Sequence, residues 1–208
     1  MNNRVLLMLT IAALGCSSGP SRIEPPSIDA DDAASEAMEL YDKDGDGAIA
    51  AAELDAAPGL KAAMATLDTS KDGSVQEEEI VARIESWQAS GVGLASLSCT
   101  VTMDGRPLPG AKIVFEPESF LGDDIKAAEG QTSETGNTGF SIPKPNRPAP
   151  DAPPGAQLGF YRVRITKEVN GQESIPAKYN TETILGQEIA PDDPAIMGQR
   201  MRFELESK

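Results

Sequence analysis

Two twelve-residue stretches carry the same pattern of acids and glycine, and nothing else in the chain restricts its folding as strongly. The first, Asp42-Lys43-Asp44-Gly45-Asp46-Gly47-Ala48-Ile49-Ala50-Ala51-Ala52-Glu53, has carboxylates at positions 1, 3, 5 and 12 and glycine at position 6. The second, Asp68-Thr69-Ser70-Lys71-Asp72-Gly73-Ser74-Val75-Gln76-Glu77-Glu78-Glu79, repeats the pattern with Ser70 at position 3. Glycine at position 6 permits a sharp turn that ordinary residues resist. Position 8 is Ile49 in one stretch and Val75 in the other, apolar as two short pairing strands require. Fourteen residues separate Glu53 from Asp68, and Pro58-Gly59 breaks them, so the helices between the loops are expected to be short.

Acids clustered on one turn repel one another unless a cation joins them. A set made wholly of oxygens, with a further Glu arriving from the following helix, suits Ca²⁺, a hard cation that takes roughly six to eight such ligands. The pair of loops resembles the EF-hand pair family, and the resemblance covers roughly residues 31–90. It implies two Ca²⁺ sites. In the first the ligands are Asp42, Asp44, Asp46, the carbonyl of Ala48 and Glu53; in the second they are Asp68, Ser70, Asp72, the carbonyl of Ser74 and Glu79. Ala50 at position 9 has no side-chain oxygen and leaves that place to water. With one carboxylate fewer, the second site is expected to be the weaker. Helices flanking the loops follow from periodicity: Asp31 or Asp32 caps a helix ending at Tyr41, with Ala34, Ala37, Met38 and Tyr41 on one face. Leu60, Ala63, Met64 and Leu67 repeat those offsets before the second loop, and Ile80, Ile84 and Trp87 line the helix from about Glu77 to Gln88. These stripes are read as a thin core that draws much of its stability from the metal.

Charge is concentrated where the loops are. The formal net charge is −15, and residues 29–90 hold 16 acids against 4 bases, whereas residues 91–208 hold 16 against 12. So acidic a segment collects cations and repels nucleic acid. The chain contains no histidine, which removes the Ser-His-Asp triad, the Cys-His pair and the H-E-x-x-H zinc site. With the densest carboxylates claimed by the loops, no enzyme activity is expected.

Residues 1–15 begin with one basic residue, Arg4, and an apolar run from Val5 to Leu14, too short to span a bilayer and shaped like a secretory signal. Ala13-Leu14-Gly15-Cys16 resembles a bacterial lipobox, which implies a lipid-modified Cys16 at a new N-terminus. A plain signal peptide cut near Gly19, with Cys16 discarded, is the other reading. Residues 16–30 are rich in Ser and Pro, as a tether between membrane and first domain would be.

After Ser90-Gly91-Val92-Gly93 the period changes to two. Leu97, Cys99, Val101 and Met103 alternate with Ser98, Thr100 and Thr102, and Asp104-Gly105 ends the strand in a turn. Further strands are read at Ala111-Ile113-Phe115, at Phe140-Ser141-Ile142, at Tyr161-Val163-Ile165 with Arg162 and Arg164 outward, and at Met201-Phe203-Leu205. Cys99 is read as a buried small hydrophobe. The Pro-rich connection 143–154 is excluded from any central strand. The series Val101 to Ala111, Thr135-Gly136-Asn137-Thr138-Gly139-Phe140, Gly159-Phe160-Tyr161-Arg162-Val163 and Ile175-Pro176-Ala177-Lys178-Tyr179 resembles the carboxypeptidase regulatory-like domain. That resemblance covers roughly residues 94–206 and implies an antiparallel, transthyretin-like β-sandwich without peptidase activity.

The expected organisation is therefore α plus β in separate domains: signal 1–15, tether 16–30, EF-hand pair 31–90 and β-sandwich 91–208. The expected function is calcium binding by a lipoprotein of the bacterial cell envelope, periplasmic or on the outer membrane, with the sandwich as a structural or protein-interaction module. A carbohydrate-binding module with calcium as structural support is the alternative. Its partners would be calcium, the membrane through lipid on Cys16, and an envelope protein or glycan, with no nucleic acid.

Overall fold

A computed structural model of the protein describes residues 23–198 and 201–208. Cys16 and the expected signal lie outside the described residues. Helix α1 (Ala30–Tyr41) is capped by Asp29, whose carboxylate accepts the Asp32 N–H at 3.2 Å. The cap thus falls before the Asp31 or Asp32 read from sequence, because a capping oxygen must reach an N–H about three residues ahead. Residues before it already belong to the packed structure: Ile28 is buried, and its carbonyl accepts Gln88 Nε2 at 2.6 Å. The stretch expected as tether is therefore held from Ile28 onward.

Two short strands, β1 (Ala48–Ala50) and β2 (Ser74–Gln76), pair antiparallel, with Ile49 opposite Val75 and both fully buried. Helix α2 (Ala51–Ala56) leaves the first loop and α3 (Pro58–Leu67) leads to the second, so the inner helices are short as the Pro58-Gly59 break implies. Proline stands at the first position of α3, where its missing N–H is harmless. Helix α4 (Glu77–Ser90) leaves the second loop and stops at Gly91 in the left-handed conformation. The expected faces are buried at Ala34, Ala37, Tyr41, Leu60, Ala63, Leu67, Ile80, Ile84 and Trp87, while Met38 and Met64 are half-buried at the margin.

Strands β3 (Ser98–Met103), β4 (Arg106–Pro107), β7 (Asn137–Gly139) and β12 (Met201–Leu205) form one sheet. A second has the order β11 (Gly186–Ile189), β8 (Gly159–Thr166), β5 (Lys112–Pro117), β6 (Ala128–Gln131), antiparallel throughout. Strands β9 (Glu168–Val169) and β10 (Gln172–Glu173) form a small hairpin, and a short helix, α5 (Pro194–Met197), precedes β12. The fold class is α plus β. The all-antiparallel expectation needs one correction: β12 runs parallel to β3, with Met201 opposite Cys99 and Leu205 opposite Met103. Parallel neighbours need a long crossover, and nearly the whole second half of the chain separates these two. The strand expected at Phe140-Ser141-Ile142 is not formed: β7 covers Asn137–Gly139, just before it, and of the three residues Ser141 alone makes a bridge, to Glu129.

Phe115 lies between the sheets, its ring edge-on to Phe140 at 4.5 Å and 6.2 Å from Phe203 of the other sheet. The opposite face of the second sheet is covered by the helices. Trp87 of α4 meets Phe160 of β8 at 4.6 Å, and Tyr41 of α1 meets Phe120 at 6.3 Å. A contiguous buried core therefore runs from Ile28 to Leu205 through both halves. Among the described residues, no helix is long and apolar enough to cross a membrane.

Burial also sets how this core responds to alkali. It pushes the Cys99 thiol from 9.0 up to about 12. Burial first, then the neighbouring Glu118 carboxylate, raises the Tyr41 phenol from 10.0 to about 12. An unfolded chain loses these protons near the ordinary values while the folded chain keeps them, so ionisation favours unfolding. Stability is expected to be intact below about pH 9 and to fall progressively to pH 12, read as a declining urea midpoint in buffered titrations. A flat midpoint to pH 11.5 would contradict the burial of these groups.

Candidate metal centre

The twelve-residue loops owe their shape to side chains that bond the loop's own backbone. Asp42 accepts the Gly45 N–H on Oδ1 at 2.8 Å and the Gly47 N–H on Oδ2 at 3.1 Å. Asp44 Oδ1 accepts from Asp46 N at 3.2 Å, and Asp46 Oδ1 from Ala48 N at 3.0 Å. Gly47 has φ +90°, a conformation that other residues adopt at a cost, and Gly73 repeats it at +88°. Asp42, Asp44 and Asp46 are thereby turned toward one point, with one oxygen of each within 4.8 Å of the others.

Glu53, the twelfth residue, folds back beneath the loop. Its Oε2 accepts the Ala50 N–H at 3.0 Å, and its Oε1 accepts Lys43 N at 2.7 Å and, more weakly, Asp44 N at 3.4 Å. Those backbone donors, Ala50 foremost, hold its carboxyl below the usual carboxylate range. One side chain thus joins the first turn of α2 to the start of the loop. The carboxylates of Asp42, Asp44 and Asp46 retain acceptor capacity, since an ionised carboxylate offers about four lone-pair directions, and Glu53 keeps its open direction on Oε2, because Oε1 already accepts two amides. Among the described residues no Lys or Arg ion-pairs with Asp42, Asp44 or Asp46. Three converging anions with no cationic side chain on them form a donor set suited to a hard cation.

The second loop has the same construction. Asp68 accepts from Lys71 N at 2.5 Å on Oδ1 and from Gly73 N at 3.0 Å on Oδ2, and Ser70 Oγ donates to Asp68 Oδ1 at 3.2 Å. Asp72 accepts both the hydroxyl and the N–H of Ser74, at 2.6 and 2.9 Å, and Gln76 Nε2 at 2.8 Å. The Ser74 hydroxyl, foremost, lowers the Asp72 carboxyl. Glu79 is 8% exposed; its Oε1 accepts Thr69 N at 2.8 Å and Ser70 N at 2.9 Å, and its Oε2 accepts Gln76 N at 3.2 Å. Ala48 and Ser74, expected to offer carbonyls, open β1 and β2 and so stand beside each other's loops. Of the sequence-predicted ligands, the structure brings Asp42, Asp44 and Asp46 to one point, whereas among the described residues Glu53 does not join that cluster and Asp68, Asp72 and Glu79 form none of their own.

Other groups near the loops escaped the sequence reading. Glu118 is fully buried and accepts Tyr41 Oη at 2.8 Å, Gly59 N at 3.0 Å and Arg162 Nε at 2.9 Å. Arg162 also donates to the Ala56 carbonyl at 2.7 Å. Glu188, 2% exposed, accepts Arg83 Nε, Trp87 Nε1 at 3.0 Å and Thr66 Oγ1 at 2.7 Å. Arg83 completes the cluster with two bonds to Asp192, at 2.8 and 2.9 Å. Phe160 beside Tyr161 was the available signal: apolar residues on both faces of one strand mean both faces are covered. Comparison with protein-family models gives no match, and neither does comparison with curated proteins.

Proposed function

We propose that the protein binds Ca²⁺ at the two paired loops, as an EF-hand pair does. The observation that carries this reading is the convergence of Asp42, Asp44 and Asp46 to within 4.8 Å with no basic side chain among them. Glu53 and Glu79 stand at the twelfth positions, already bonded to the loop backbone, ready to add their charge to the three acids of the first turn and the two of the second. Mg²⁺ demands a tighter octahedron and keeps its waters, so flexible carboxylate loops favour the larger ion.

We read the strands of residues 91–208 as a transthyretin-like sandwich of the carboxypeptidase regulatory-like kind, a structural or protein-interaction module of a lipoprotein anchored in a bacterial envelope through Cys16. A glycan platform would present exposed rings, whereas Phe115, Phe120, Phe140, Phe160, Tyr161, Tyr179 and Phe203 are all buried, which favours a protein partner or a structural role. No catalytic residue is assigned. Where calcium is near millimolar, sites of about 10⁻⁵ M affinity are continuously filled, and occupancy supports the structure more than it signals.

The test is a thermal melt of the protein in chelator and in millimolar Ca²⁺. One site filled at about a hundredfold above its Kd contributes ~2.7 kcal/mol, which is roughly 5–10 °C for a domain of this size. A rise of that order with Ca²⁺ is expected. Identical melting in both solutions would refute the proposal.

A further inference from the structure

The loops are bonded to the β-sheet through all four of their helices, and two buried carboxylates make the joint. Tyr41, the last residue of α1, immediately precedes Asp42 and donates to Glu118. The last residue of α2, Ala56, lies three residues beyond Glu53 and is bonded through its carbonyl to Arg162, the ion-pair partner of Glu118. Helix α3 gives the Gly59 N–H to Glu118 at one end and the Thr66 hydroxyl to Glu188 at the other, two residues before Asp68. Helix α4 gives Arg83 and Trp87 to Glu188, beginning one turn beyond Glu79. The sheet residues involved, Arg162 on β8 and Glu188 on β11, share the face that carries Phe160. At the centre of the contact, a Cβ on Gly186 of β11 would overlap the Pro58 carbonyl, so α3 lies against the strand with no room for a side chain.

Resting on the reading of the loops as Ca²⁺ sites, we infer that ion occupancy and docking of the helices on the sheet are one coupled equilibrium. The sheet fixes the spacing of the helices that carry Asp42, Glu53, Asp68 and Glu79, so an undocked helical unit must order those ligands at the moment of binding. Docking removes that cost beforehand. Coupling is reciprocal: whatever factor docking adds to Ca²⁺ affinity, Ca²⁺ adds to docking. The β-half is then the built-in partner of the metal-binding half.

The experiment uses the full chain and Ca²⁺ itself. Gly186→Ala blocks the approach of α3, and Glu118→Gln keeps shape while removing the charge that Arg162 and Tyr41 bond; neither touches a loop. Both are expected to weaken Ca²⁺ binding about tenfold in a calorimetric titration. In the wild type, Ca²⁺ is expected to slow hydrogen exchange at the Gly59 amide and along β11 and to shift Trp87 emission to the blue, with exchange between β3 and β12 unchanged. Should a variant fail to fold, the wild-type exchange pattern decides alone. Wild-type Ca²⁺ binding with unaltered affinity in both variants, or with exchange at Gly59 and β11 indifferent to the ion, would overturn the coupling while leaving the metal sites intact. No Ca²⁺ binding by the wild type would overturn the metal sites and the coupling together.

Discussion

Glu188→Ala is expected to lower the stability of the protein by about 3–5 kcal/mol, which few single substitutions reach. Glu188 and Arg83 are 2% and 9% exposed, so the pair is buried on both sides. Removing the carboxylate leaves Arg83 Nε and Trp87 Nε1 facing a space that water enters poorly without their acceptor, while Thr66 Oγ1 keeps the Ala63 carbonyl at 2.9 Å. A buried donor left unmatched costs about 1–3 kcal/mol, more when charged. Arg83 keeps Asp192, which limits the loss. Glu188→Gln, which retains one acceptor oxygen, should cost distinctly less. Urea unfolding checks both: the midpoint should fall in the order wild type, Gln, Ala with little change in slope. A near-neutral Ala variant would mean that the helices are not locked to the sheet through Glu188.

Glu53→Gln is expected to weaken Ca²⁺ uptake at the first loop by about a hundredfold, because affinity in such loops follows ligand charge and the change removes one of four negative charges. It should disturb the fold little. Glutamine retains one oxygen, which can serve the part-buried Ala50 amide that Glu53 now accepts on Oε2 at 3.0 Å, and it leaves the exposed Lys43 amide, now on Oε1 at 2.7 Å, to water. Glu79→Gln should act on the second loop and disturb the fold more, since Glu79 is buried whereas Glu53 is half-buried. Asp55→Asn is the control: its bond to Lys61 is between exposed side chains, and it lies outside the ligand set. Calorimetric titration of the four proteins measures the effect. Equal affinities in all four would exclude the twelfth position as a ligand.

Local chemistry was legible in the sequence, and long-range pairing was not. Both loops, the burial of Ile49 and Val75, the short helices around Pro58-Gly59 and the alternation at Cys99, Ile113, Val163 and Phe203 follow from spacing alone. Arg162 and Arg164 show where such reasoning stops. Alternation turns both outward, yet outward means helix for Arg162, which reaches Glu118, and solvent for Arg164, which is exposed and pairs with Glu116. Glu118 and Glu188 resemble ordinary surface acids in sequence, because their partners lie 44 to 122 residues away. The parallel pairing of β12 with β3 was hidden for the same reason: Met201, Phe203 and Leu205 alternate identically whichever direction the neighbour runs.

Whether the paired loops hold metal is decided by native mass spectrometry of the full chain in calcium-buffered solution, which counts the ions directly. The expected result is a mass increase of two Ca²⁺ at millimolar calcium, filled in two steps with the first loop ahead of the second, and absent after chelation. Retention of the metal-free mass at millimolar calcium would contradict it.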